Sequence, residues 1–182
     1  MARLKGWHLV LLPHGAEREA LISKLSALRF GMAEPHLAIL PDRGEPLPSL
    51  GVPHFRATTD DDLTEVARGA WPLKELAESI DHFVNGFAPL EGVRCPPKVA
   101  LGLRLLLVHT FRQIALADPV LPVPLLPESW KGPEDRALFA RLYLELSPAA
   151  DQAIADTFVD RGGLLTADPT RVARRIADLS YS

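Results

Sequence analysis

The chain reads as an α+β protein, a small ferredoxin-like domain with a trailing helix followed by an α-helical bundle. Three features predict this. Short apolar runs closed by Pro, Gly or Asp alternate with amphipathic stretches in the first seventy residues, in the order strand, helix, strand, strand, helix. The second half instead repeats apolar residues three and four positions apart over long stretches. Between the two lies 88–97, with Pro89, Gly92, Pro96 and Pro97, which marks the expected boundary and divides the chain into 1–92 and 93–182.

The elements follow in order. Residues 7–12, WHLVLL, form a buried strand closed by Pro13, His14 and Gly15. Residues 17–29 carry Ala20, Leu21, Leu25 and Leu28 at helical spacing, and Phe30 with Gly31 reads as the helix terminus, since glycine adopts the left-handed cap cheaply. Strands follow at 36–40 and 52–59, separated by a Pro- and Gly-rich loop. A ferredoxin-like unit needs a fourth strand, for which 65–71 is the only space. Asp60, Asp61 and Asp62 open a short helix, because carboxylates accept the free N–H groups of a first turn. Pro72 begins the next helix, through Phe87, with Leu73, Leu76, Ala77, Ile80, Phe83, Val84 and Phe87 on its core face.

The central element is 98–132. Residues 98–117 predict a helix apolar on most of its circumference, with Leu103, Leu106, Leu107, Thr110, Phe111 and Ile114 on one broad arc. Such a helix is normally buried. Pro119 stops it, and prolines at 119, 122, 124 and 127 give an arm that is neither helix nor central strand. Helices are expected at 133–146, at 148–159 and from Asp168 through Leu179.

Composition narrows the function. Lys plus Arg 20 against Asp plus Glu 23 leaves −3, with no basic stripe of the kind that holds a phosphate backbone. The single Cys95 excludes an internal disulfide and fits a reducing compartment, and no apolar run reaches about 18 residues without a charge, so a soluble cytoplasmic protein away from membranes is expected. No catalytic signature occurs: neither HExxH, GxSxG, a Walker loop nor GxGxxG is present. Glu78 and His82, one turn apart, form an ordinary surface pair. A non-enzymatic protein without cofactor or metal is the expectation.

The run Leu106, Leu107, Val108, His109, then Phe111 and Arg112, Asp118 and Pro119, Leu121 and Pro122, Leu125, Leu126 and Pro127, and Trp130, Lys131 and Gly132 resembles the carboxy-terminal part of PaaX-family transcriptional regulators, bacterial repressors of aromatic-acid catabolism. Gly6 and Trp7, Arg18, Leu21, Leu25, Arg29 to Met32 and Pro41 resemble that family's central domain, whose fold is similar to a CRISPR-associated endoribonuclease. The nuclease's metal-binding aspartate at the end of the first strand has no counterpart in Leu11, Leu12, Pro13 and His14.

The resemblance implies a regulatory module that pairs with a second copy and binds an aryl-acyl-CoA such as phenylacetyl-CoA. Direct DNA binding is not expected. The family's amino-terminal winged helix has no counterpart here, and Pro35 falls where a recognition helix would run between residues 17 and 40. Such a module would act by joining a DNA-binding partner protein or by sequestering its effector. A CoA ester needs an apolar slot and cations for its phosphates. Arg104, His109 and Arg112, on one side of the central helix, and Trp130 are the candidate ligand-binding residues, with Phe111 and Tyr143 as further aromatics. The alternative for Arg112 is a pairing with Asp118, and for Trp130 a role in pinning the arm. The family's arginine before Asp-Pro is Ala117 here. A second possibility is an enzyme or accessory protein of aromatic-acid catabolism with a pocket beside 98–117.

Overall fold

The computed structural model describes residues 6–58, 64–157, 159–160 and 163–164. These form two units that interleave along the chain. One takes the described residues through Leu76 together with Ala117–Trp130, and the other takes Ala77–Leu116 together with those from Lys131 onward. The proline-rich arm thus belongs with the amino-terminal sheet, where the sequence suggests a single cut near residue 92.

In the first unit, β1 (Trp7–Leu11), α1 (Glu17–Ala27), β2 (Gly31–Glu34), β3 (Leu37–Pro41) and β4 (His54–Ala57) precede α2 (Thr64–Ala70). The sheet order is β2-β3-β1-β4, antiparallel throughout, with Trp7 opposite Pro41 on one side and Ala57 on the other. This is the strand order of a ferredoxin-like sheet, with two departures from expectation. The missing strand is β2, and the stretch 65–71 that was its only expected place is helix α2.

Alternation along the strands supplies an apolar layer on each face of the sheet. Val10, Leu12 and Ala38 pack with Leu21, Leu25 and Phe30 around α1. Trp7 and Ile39 pack on the other face with Ala70, Trp71 and Leu73, and Leu121 and Leu125 of the arm complete that cluster. The arm's leucines are therefore core residues of the sheet.

The end of α1 explains how β2 is missed in the sequence. Phe30 N–H donates to Leu25 O at 3.0 Å and Arg29 N–H to Ser26 O at 2.9 Å, a Schellman ending with Arg29 at φ 67° in the left-handed position. Gly31 is needed for another reason. A Cβ there would stand 2.5 Å from Cε2 of Trp71, whose indole N–H donates to Arg29 O at 3.1 Å.

The second unit holds most of α3 (Leu73–Phe87), then α4 (Pro97–Ala117), α5 (Gly132–Thr157) and a short hairpin of β5 (Val159–Asp160) and β6 (Gly163–Leu164). An aromatic row fills it. Phe111 stacks on Phe139 at 4.0 Å and lies 5.8 Å from Phe83, and Phe139 is 5.8 Å from Tyr143. Arg141 donates twice to Glu91, and Glu145 accepts from Gly92 N–H, which fixes the turn before α4 against α5.

Two expectations are corrected here. The stretches 133–146 and 148–159 are not two helices: α5 runs through Pro148. An interior proline costs about 3 kcal/mol, but Leu146, Ala150 and Ala153 are buried on both sides of it and hold the helix together. The second correction concerns α4, which is not buried all round. Ala100, Arg104, Leu107 and Ile114 face inward, whereas Leu106, on the expected inner arc, is exposed. The expected helix from Asp168 through Leu179 and the opening at Asp60 to Asp62 lie outside the described residues.

Candidate functional site

Arg104, His109 and Arg112, singled out in the sequence, do not share one side of α4. Arg104 is 7% exposed and points inward, donating to Asp151 Oδ1 at 2.6 Å and to Ser147 Oγ at 3.4 Å, with its guanidinium 5.9 Å from the Tyr143 ring centre. His109 and Arg112 lie on the outer side of α4, and the His109 ring pairs with Gln113 at 3.4 Å. Trp130 is half-buried, and its backbone N–H donates to Pro127 O at 3.0 Å. Arg104 thus faces protein atoms, because its position on the helix falls beside the buried Ala100 and Leu107.

Several conspicuous residues of the 106–132 run build structure. Asp118 Oδ1 accepts the N–H of Val120 at 2.7 Å and so stabilises a turn in which Val120 sits at φ 54°. Lys131 O accepts from both Glu134 and Asp135 N–H where α5 begins, and its ammonium pairs with Asp81 at 2.8 Å.

Among the described residues, a cavity lies in each unit. In the second, Val93, Arg94, Cys95, Ala100, Leu146 and Pro148 are among the residues lining a space of about 510 Å³, half open to solvent, between the foot of α4 and the proline in α5. Its wall is largely apolar, with Arg94 and Glu145 as the charged residues that line it. In the first, a space of about 330 Å³ is lined by His8, Leu40, Arg43, Glu45, Leu47 and Pro119, among others.

A polar cluster lies beside the smaller cavity that sequence inspection misses. Asp42 is buried and accepts from Arg56 Nε at 2.8 Å, from Arg56 Nη2 and from Gly44 N–H at 2.7 Å. These donors, Arg56 first, hold its carboxyl below the usual range. His8 Nε2 lies 3.4 Å from Asp42 Oδ1, and burial pushes the imidazole pKa down. The only sequence signal is Asp42-Arg43-Gly44 after a strand, which reads as an ordinary turn. Among the described residues, no three His, Cys, Asp or Glu side chains gather as a metal site would require.

Pro97–Ala117 is long and apolar enough to cross a membrane by length and composition. Its inner side is occupied by the Arg104–Asp151 ion pair and by buried Ala100, Leu107 and Ile114, while Val99, Leu105, Leu106 and Leu116 are exposed.

The molecule is therefore a two-unit α+β protein whose most distinctive motifs shape a helical domain and its arm. That domain has a match among known families: residues 71–156 match the PaaX-like protein C-terminal domain. Among curated proteins, the transcriptional repressor PaaX of Escherichia coli is 35% identical over 86 residues, a stretch covering 44% of this chain and 27% of that repressor. Among solved structures, the uncharacterized protein Rv0674 from Mycobacterium tuberculosis superposes with a TM-score of 0.64 at 22% identity, over 81% of this chain and 63% of its own. That likeness speaks for the α+β fold. The resemblance read from 106–132 is borne out.

Proposed function

We propose that the chain is a PaaX-like transcriptional regulator of the cytoplasm, whose described part senses an aryl-acyl-CoA and pairs with a second copy. The observation that carries this is the match of residues 71–156 to the PaaX-like C-terminal domain, together with the 35% identity to a transcriptional repressor there.

Two structural features support the finer roles. The half-open cavity beside Arg94 and Pro148 suits an aryl group, with Arg94 at its wall for an anionic handle. Among the described residues the outer strand β4 has no strand neighbour on its far side, and Phe55 is 52% exposed, the kind of edge that pairs with another copy. The role is regulatory and not catalytic.

A thermal-shift series with phenylacetyl-CoA, CoA alone and free phenylacetate tests the sensing role. A ligand at a hundred times its Kd stabilises the folded state by about 2.7 kcal/mol. The expected result is a shift with the aryl ester that exceeds both controls and is reduced in Arg94→Ala. No shift with any aryl-acyl-CoA contradicts sensing, and turnover of the ester contradicts the non-enzymatic role.

A further inference from the structure

The outer side of α4 is an apolar surface that nothing in the described chain covers. Val99, Leu105, Leu106 and Leu116 are 49%, 62%, 53% and 66% exposed. Helical geometry, at about 100° per residue, sorts them into two ridges. Val99 and Leu106 form one, and Leu105 and Leu116 the other. Gly102, His109 and Gln113 run along the trough between them.

Gly102 is the informative residue. An interior glycine weakens a helix relative to alanine, and a Cβ there would have nothing within 4 Å. The chain's own packing does not call for it. A trough floored by glycine and flanked by aliphatic ridges lets the backbone of another helix come close.

Charge identifies the visitor. From 92 to 117 the sequence has no Asp or Glu, while Arg94, Lys98 and Arg112 are all exposed. A second copy of α4 would bring cations against cations. Helices α1, α3 and α5 do carry carboxylates, but among their described residues none exposes a large hydrophobic side chain to fill the trough, and α2, with Val66 exposed beside Glu65, is only seven residues long. A lipid surface fits less well, since a helix lying in a membrane places apolar side chains, not Gly, His and Gln, along the middle of its buried face. We propose that the outer side of α4 is a docking groove for an amphipathic helix of another protein, one whose aliphatic stripe is flanked by Asp and Glu.

The test uses the full chain and two fluorescein-labelled 18-residue helical peptides with the same leucine stripe, one flanked by Glu and the other by Lys. Anisotropy titration is expected to show saturable binding of the acidic peptide, roughly tenfold or more tighter than the basic one and weaker as salt rises. Gly102→Leu, which fills the trough and favours the helix, is expected to abolish binding while leaving the circular dichroism spectrum intact. Lys98→Glu with Arg112→Glu is expected to reverse the peptide preference. Absence of saturation by about 100 µM, a range of very weak affinity, overturns the proposal, as does equal binding of both peptides. Self-association lost in Gly102→Leu would assign the groove to a second copy, and co-sedimentation with anionic vesicles lost in the same variant would assign it to lipid. Either result overturns the proposal.

Discussion

The guanidinium of Arg104 donates to the carboxylate of Asp151 at 2.6 Å, joining α4 to the stretch of α5 just past its proline. Ser147 Oγ receives a second bond from Arg104 at 3.4 Å and donates to Tyr143 O at 2.6 Å, so the network sits at the proline itself. A long helix containing a proline is thereby anchored to its neighbour where its own ladder is weakest.

Breaking that pair leaves a carboxylate in a largely buried place. Arg104→Met is expected to cost about 3 kcal/mol, and Arg104→Met with Asp151→Leu to recover most of the loss, since a buried ion pair and an apolar pair of similar volume are often nearly equivalent. Urea denaturation of the wild type, both single variants and the double variant measures this. Additive losses would show that the two side chains act separately.

Acid should weaken the sheet unit. Asp42 has its pKa lowered from an ordinary 3.8, chiefly by the Arg56 hydrogen bond, so its contribution is complete above that value and is lost as pH falls through the lower folded pKa. His8 is lowered from 6.5, chiefly by burial, so the unfolded chain takes up a proton first and stability declines as pH drops below 6.5. Both effects have the same sign. Urea midpoints should hold level above pH 6.5, decline below it as the unfolded chain takes up the His8 proton, and decline again below 3.8 where Asp42 contributes, and His8→Gln should flatten the first of these limbs. Asp42→Asn is expected to lose roughly 1.5–3 kcal/mol at neutral pH, as for a hydrogen bond to a charged group.

Gly31→Ala sets a methyl group against the Trp71 indole, with Cβ 2.5 Å from Cε2. Overpacking of this kind costs typically 1–3 kcal/mol. The variant should melt earlier and lose the Trp71 bond to Arg29, visible as a change in tryptophan fluorescence. An unchanged melting temperature would mean that the indole is not packed on Gly31.

The arm should behave as part of the sheet. Leu125→Ala removes a buried side chain from the cluster of Trp7, Ile39 and Trp71 and is expected to cost about 2–5 kcal/mol. Hydrogen exchange in this variant should accelerate in β1 and β3 as well as in the arm. Exchange confined to the arm would contradict the shared core.

Much of this fold was legible in the sequence, and the exceptions have physical causes. Strands β1, β3 and β4 announced themselves as apolar runs between breakers. Gly31 to Glu34 did not, because a glycine after an amphipathic helix looks like a cap, and only the distant Trp71 reveals why glycine stands there. Pro148 looked like a break because sequence shows the lost N–H but not the burial of Leu146 and Ala150 that offsets it. For α4, hydropathy predicted burial all round, yet neighbours cover one side and leave Leu105 and Leu106 outside. The candidate ligand residues suffered from the same fact: Arg104 turns inward to an Asp151 that no local spacing could connect with it, while His109 and Arg112 remain outside. The run at 106–132 did point to the PaaX-like C-terminal domain that residues 71–156 match, through residues whose observed roles are largely structural.

The most direct test of the central claim is sedimentation velocity of the full chain at micromolar concentration with phenylacetyl-CoA, followed at the adenine absorbance. The regulatory account predicts a dimer that carries the nucleotide absorbance with it. A strict monomer, with the CoA ester left unsedimented, would contradict it.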